Sequence, residues 1–453
     1  MIIFDVNFYD ILNERVDVYF HKRDKTYHDF VPLSNYVVVK GGKRIPKGKE
    51  FSEKETNFLY LRLSDITDFE KIDYKKLKCI DNNVYQTLKR YEIAENDLAI
   101  SIAGTIGRII LLKNVPSEKK IILTENCALL VLKDKAILPD YLKIVLDLPL
   151  VQEQISRNRI QTTIPKIGLD RISKLQIPKV PSIEIQQQIV NLYNYAVAEK
   201  QNKEQEAQTL LAGIDNYLLK ELGIELPENV GNERYFEISI EELIRGRLDV
   251  FYYRMEFRTL FESINNKSKT KLRDYITSIN YGASVSNAYV EKGIPFLRIK
   301  DLLPNDIQKG EIVFLPNEMQ EQLQTSLVHT NDFLISRSGT IGVTAIVNSE
   351  FDGFAFGSFM IRFATQNINR QFLSYYINST IGQYYFGRNR IGAIQGNITI
   401  PTIKDLPIPD ITIEKQNEIA EHIQSIRATA RRLQEEAKEG LKMVKSEIEK
   451  MIK

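Results

Sequence analysis

Two cysteines and four histidines are all that this 453-residue chain offers a disulfide or a soft metal. Cys79 and Cys127 stand far apart with no CxxC spacing, which excludes a disulfide framework and a thiolate zinc site and leaves both as core residues. His21, His28, His329 and His422 do not group as ligands, and the first two read as surface residues. Long apolar runs are missing as well. No stretch approaches the roughly 18 uncharged residues of a membrane span, and the opening MIIFDVNFYD has no basic region ahead of an apolar one, so a cytoplasmic location is expected. Nor is there an excess of one charge: 61 basic against 59 acidic side chains give +2, so any nucleic-acid surface must be local. Catalytic signatures are absent too, with no HExxH, no GxGxxG after a strand, no GxSxG and no Asn/Asp-Pro-Pro-aromatic motif. Glu118-Lys119-Lys120 has the ExK form of a nuclease without a matching upstream acid. Lys40-Gly41-Gly42-Lys43-Arg44 lacks the interval of a phosphate loop and reads as a basic loop near DNA. The chain is expected to recognise and not to react.

What is present is repetition. Arg15-Val16-Asp17-Val18-Tyr19-Phe20 returns as Arg247-Leu248-Asp249-Val250-Phe251-Tyr252, and Tyr60-Leu61-Arg62-Leu63-Ser64-Asp65-Ile66 as Phe296-Leu297-Arg298-Ile299-Lys300-Asp301-Leu302. Asp97 to Gly107 matches Asp332 to Gly342 around a shared Gly-Thr-Ile-Gly, and Arg157-Asn158-Arg159-Ile160 recurs unchanged as Arg388-Asn389-Arg390-Ile391. Four matches in one order at nearly constant offset make this an internal duplication. Each half reads as a mixed α and β globule followed by a helix. Leu98 to Ile102 and Thr344 to Val347 are short β-rich runs whose glycines turn hairpins, a phosphate cradle being the lesser reading. Tyr141 to Asn158 and Phe372 to Asn389 have the spacing of core helices.

After Pro181 and again after Pro409 the composition turns polar with apolar residues three and four apart. The first stripe is Ile189, Leu192, Ala196, Ala207, Leu210, Ile214 and Tyr217, interrupted by Glu199 and Lys203. The second runs from Ile419 through Ile423, Ile426, Ala430, Leu433, Ala437, Leu441, Val444 and Ile448 to Met451, a coiled-coil seam. A 40-residue helix is a rod of roughly 60 Å. Pairing the two helices antiparallel covers both stripes and would hold the globules at opposite ends, the alternative being a helix laid flat on its own globule. The expected fold is α+β and internally duplicated: a mixed α/β domain over 1–180, a helix over 181–222, a linker and second domain over 223–410, and a helix over 411–453.

The globules carry Arg, Lys, Asn, Gln, Ser and Thr on turns beside aromatic residues, an inventory suited to DNA. Arginine matches guanine O6/N7, Asn or Gln matches adenine N6/N7, and the remaining cations hold phosphates. The candidates are Arg62, Ser101, Thr105, Arg108, Arg157, Asn158 and Arg159 in the first half, and Arg298, Lys300, Ser336, Arg337, Thr340, Arg388, Asn389 and Arg390 in the second. The competing reading is that these are exposed charges, or that Arg62 and Arg298 pair with Asp65 and Asp301.

The whole pattern resembles the specificity subunit of type I restriction-modification systems. It is carried by the duplicated R-[VL]-D-V-aromatic opening, the [YF]-L-R-[LI]-x-D-[IL] strand, the Gly-Thr-Ile-Gly hairpin, and the lead into each helix, Ile177-Pro178 with Glu184-Ile185-Gln186 and Ile408-Pro409 with Glu414-Lys415-Gln416. The resemblance implies a non-catalytic subunit with two target recognition domains, each reading half of a bipartite double-stranded DNA site. It also implies two methyltransferase subunits that use S-adenosylmethionine, and restriction subunits that use ATP and Mg; this chain itself would hold no cofactor. Because Gly41 to Gly48 and Asn280 to Ser286 differ, the site should be asymmetric. A structural adaptor binding protein partners through its duplicated globules is the alternative.

Overall fold

The computed structural model describes residues 30–66, 72–159, 165–225, 237–241, 250–285, 289–310, 312–392 and 396–452. The opening at Arg15, the start of its copy at 247–249, His21, His28 and Ile160 lie outside them. Two compact units form, residues 30–204 with 435–452, and residues 205–434.

Hydrophobic alternation builds the same sheet in each unit. In the first, Val37–Gly41, Cys127–Leu132, Leu98–Ser101 and Ile109–Leu111 lie side by side, all antiparallel. In the second the order is Ile276–Tyr281, Met360–Thr365, Phe333–Ser336 and Thr344–Ile346, again antiparallel. Successive side chains on a strand face opposite ways, and both faces are covered. Leu98 and Ile100 join the helices around Tyr141 and Leu142, whereas Ala99 joins a second core with Leu59, Leu61 and Ile121. Phe333 and Ile335 divide from Leu334 in the same manner. A further small sheet in each unit contains one parallel pair, Phe58–Leu61 with Lys120–Leu123 and Ile294–Leu297 with Ala355–Phe356.

The expected single helix over Tyr141 to Asn158 is two, Pro139–Leu146 and Pro149–Asn158. Pro149 cannot continue a helix and restricts Leu148 to extended backbone, so the chain turns there. Its counterpart is likewise divided, into Arg370–Asn378 and Thr380–Asn389, with the Ser379 hydroxyl donating to the Tyr376 carbonyl at 2.7 Å.

The long helices are Ile183–Leu222 and Ile413–Met451. Within the first unit Ile189, Val190 and Tyr193 share a core with Ile448, and Lys203 pairs with Glu436 at 2.7 Å. That pair accounts for Lys203, one of the two polar interruptions of the first stripe. Within the second unit Ala207 packs on Ala430 and Leu433, and Glu221 pairs with Lys415 at 2.6 Å. In both units residue numbers rise along one helix as they fall along its neighbour, so the pairing is antiparallel. Met451, expected in the seam, is 44% exposed. No helix among the described residues is long and apolar enough to cross a membrane.

Candidate nucleic-acid interface

Each Gly-Thr-Ile-Gly segment is the turn of a hairpin, and its geometry is written in backbone angles. Gly104, Gly107, Gly339 and Gly342 all have φ between 74° and 87°, a region that side chains with a Cβ disfavour. Ser101 and Ser336, expected to face bases, are buried inside the sheet instead. The Ser101 hydroxyl donates to the Thr105 carbonyl and accepts from the Arg108 amide at 2.9 Å, and Ser336 accepts from the Val343 amide at 2.9 Å. Their role is to hold the turn. Thr105 and Thr340 remain exposed at its tip, and Arg108 is half-buried beside it.

The arginines divide by what occupies them. Arg62 binds Asp65 through two nitrogens at 2.6 and 3.0 Å, and Arg298 binds Asp301 through two at 3.1 Å. Each also donates its backbone amide to that carboxylate. The pair therefore ends the strand and closes the next turn, the competing reading of those arginines. Hydrogen bonding to Asp65 raises the Arg62 guanidinium above its ordinary pKa, so it stays charged. Arg157 pairs with Glu153 one helical turn away. Arg388 lies between the rings of Tyr252 and Phe261, its Cζ 4.0 and 4.4 Å from their centroids, and donates Nε to the Tyr252 carbonyl at 2.9 Å. Burial lowers its pKa. This packing holds its side chain. Asn158 and Asn389 both donate to the carbonyl four residues back, at 2.9 Å. Arg159, Arg390 and Lys300 are exposed. Asn397 bridges to both Ser338 and Ile391, which brings the end of the Arg-Asn-Arg segment beside the hairpin.

Arg337 differs from Arg62, Arg157, Arg298 and Arg388. Its Cζ stacks 4.8 Å from the ring of Tyr281, and its buried Nε has no hydrogen-bond partner among the described residues. Tyr281, within the divergent stretch from Asn280 to Ser286, is 40% exposed, and the neighbouring Phe359, not singled out from the sequence, is 49% exposed.

In the first unit the basic loop borders an open groove of about 830 Å3 lined by Arg44, Lys47, Lys49, Phe51, Tyr60, Arg62, Glu125 and Asn126. Glu125 accepts from Arg44 at 2.6 Å and from Tyr60 at 3.1 Å. Burial alone would raise that carboxyl, but the hydrogen bonds from Arg44, Thr124 and Tyr60 hold it below the usual range. Tyr60, pushed up to about 12 chiefly by burial, remains a donor. The cations lining this groove can donate to phosphates, and the Glu125 carboxylate can accept from a cytosine amino group. No cluster of three or more metal-ligating side chains occurs among the described residues.

Two matched pairs of glutamines also hold the frame: Gln152 and Gln383 escaped the sequence reading, whereas Gln186 and Gln416 stood in the lead into each helix without a role assigned. Gln152 donates to the carbonyls of Gly107 and Leu146, and Gln383 to those of Gly342 and Ile377. Gln186 accepts from the Leu138 amide and Gln416 from that of Asn369, both at 2.9 Å. Their signal was identity at matched positions of the two halves.

Comparison with known proteins agrees with the duplication. The profile of the type I restriction modification DNA specificity domain matches residues 33–209 and again 261–443. The specificity subunit of the type I restriction enzyme EcoBI from Escherichia coli is 26% identical over 181 residues, 40% of this chain and 35% of that relative's length. Two solved structures align over nearly the whole chain. One is the type I restriction-modification S subunit from M. genitalium, with 14% identity, 94% of this chain, 96% of that one and a TM-score of 0.41. The other is the HsdS subunit from Thermoanaerobacter tengcongensis, with 14% identity, 93% and 96% coverage and a TM-score of 0.39.

Proposed function

We propose, on the premise that this chain belongs to the type I restriction modification DNA specificity domain family, that it is the DNA-reading subunit of such a complex. Each unit reads one half of a bipartite, asymmetric duplex site. The long helices set the spacing of the halves and dock methyltransferase subunits, through which restriction subunits join. The chain has no catalysis of its own; S-adenosylmethionine belongs to the methyltransferase, and ATP and Mg to the restriction subunit.

The observation that carries this reading is one scaffold built twice with different surfaces. Ser101 and Ser336, Gly107 and Gly342, and the Arg62–Asp65 and Arg298–Asp301 pairs serve the same frame. The exposed loops differ: a cation-rich groove in the first unit and an aromatic pair beside Arg337 in the second. Two different contact surfaces select two different half-sequences.

Co-expression with the neighbouring methyltransferase, followed by base-resolution mapping of methyl-adenine, tests it. One split, non-palindromic motif that disappears without this chain is expected. A continuous palindrome, or methylation indifferent to this chain, overturns the proposal.

A further inference from the structure

The duplication supplies an internal control for locating base contacts. Backbone bonds set the register between the halves: the Gly42 amide donates to the Cys127 carbonyl and the Gly282 amide to that of Met360. The Ile102 amide donates to Asn126, and the Arg337 amide to Phe359, at 2.8 Å in both. Gly41, Ile102 and Asn126 therefore occupy the places of Tyr281, Arg337 and Phe359. These three positions lie on neighbouring strand ends over a frame that is otherwise alike, and all three differ in kind.

We propose that Tyr281, Arg337 and Phe359 are the base-contacting patch of the second unit, with Arg337 reading a guanine in duplex DNA. The inference rests on the DNA-reading function above and deepens it. A guanidinium fork matches guanine O6 and N7. Such a fork discriminates best when its orientation is set beforehand, because less rotamer freedom is then lost on contact. The Tyr281 ring supplies that orientation by stacking at 4.8 Å, with no carboxylate bound to the fork among the described residues. Arg298, in contrast, is committed to Asp301 at 3.1 Å. Phe359, 49% exposed, presents an apolar plane to a thymine methyl or a base face beside that guanine. Nothing aromatic stands at the matching places of the first unit, where Arg44, Lys47 and Lys49 rim a groove around Glu125. The two halves thus read by different chemistry.

Selection of random duplex DNA by the full chain, co-purified with its methyltransferase, tests this. Wild type should enrich one bipartite motif. Arg337→Lys keeps the charge and removes the fork. It should erase the preference for guanine at one position of one half, with affinity for the wild-type site falling about 5- to 150-fold. Tyr281→Leu should produce the same loss by removing the stack, and it decides the matter if the lysine variant fails to fold. Phe359→Ser should relax an adjacent position of the same half. Failure of wild type to enrich any motif would remove the DNA-reading function itself. A wild-type motif left unchanged by folded Arg337→Lys or Tyr281→Leu, or weakened equally in both halves, would overturn the patch alone.

Discussion

At Gly42 and Gly282 a strand crosses a backbone carbonyl so closely that no side chain fits. A Cβ on Gly42 would sit 2.0 Å from the Thr124 oxygen, and one on Gly282 would sit 2.3 Å from the Gly357 oxygen. Backbone on both sides cannot yield as a flexible side chain can, so Gly282→Ala should lower unfolding stability by about 1 to 3 kcal/mol. Chemical denaturation measures this, and an unchanged midpoint would mean the crossing relaxes freely. Gly48, unlike those two, is at positive φ and has open space around it; its constraint is torsional. Ser336 offers a second case, since its removal leaves the half-buried Val343 amide without its side-chain acceptor. Ser336→Ala should cost about 1 to 3 kcal/mol by the same assay, whereas Thr340→Ala at the exposed tip should cost little.

Gln186 and Gln416 fasten the long helices to the globules on which they start. Each is buried at a helix start, and each accepts an amide from the loop ahead of a globule helix. At their other ends the helices cap globule helices. Asp215 accepts from the Thr380 amide at 3.3 Å and from its hydroxyl, while Glu449 accepts from the Leu150 amide at 3.1 Å. An acceptor there satisfies donors that a helix start leaves unpaired. Gln416→Ala should therefore destabilise the second unit by about 1 to 3 kcal/mol by leaving the half-buried Asn369 amide without its acceptor. Hydrogen exchange around Asn369 should rise first, and unchanged protection there would show the glutamine to be dispensable.

Neither compact unit follows the order of the chain. The first unit's core includes Ile448 from the end of the sequence, together with the Lys445–Asp147 pair at 3.2 Å. The second includes Leu218, Leu219 and Leu222 from the first long helix. Removing residues 435–453 should therefore loosen the first unit, nearly 300 residues away in sequence, and leave the core around Phe333 and Phe363 protected. Exchange mass spectrometry of the truncated chain measures both. Equal loss in the two units, or in neither, would count against the assignment of that segment to the first unit.

The duplication, the hairpin turns and the helical stripes were legible in the sequence because each depends on local regularity: a repeated string, glycine at positive φ, a spacing of three and four. The same locality explains the helix break missed at Pro149, where a visible proline was outweighed by the apolar spacing around it. Burial and partnership are another matter. Ser101 and Thr105 stand four residues apart, yet one is sealed in the sheet and the other exposed at the turn. Arg62 and Arg337 are alike as letters, but one is held by Asp65 and the other by the ring of Tyr281, 56 positions earlier in the chain. Which arginine is committed and which is presented depends on contacts between distant strands, and those exist only once the sheets have closed.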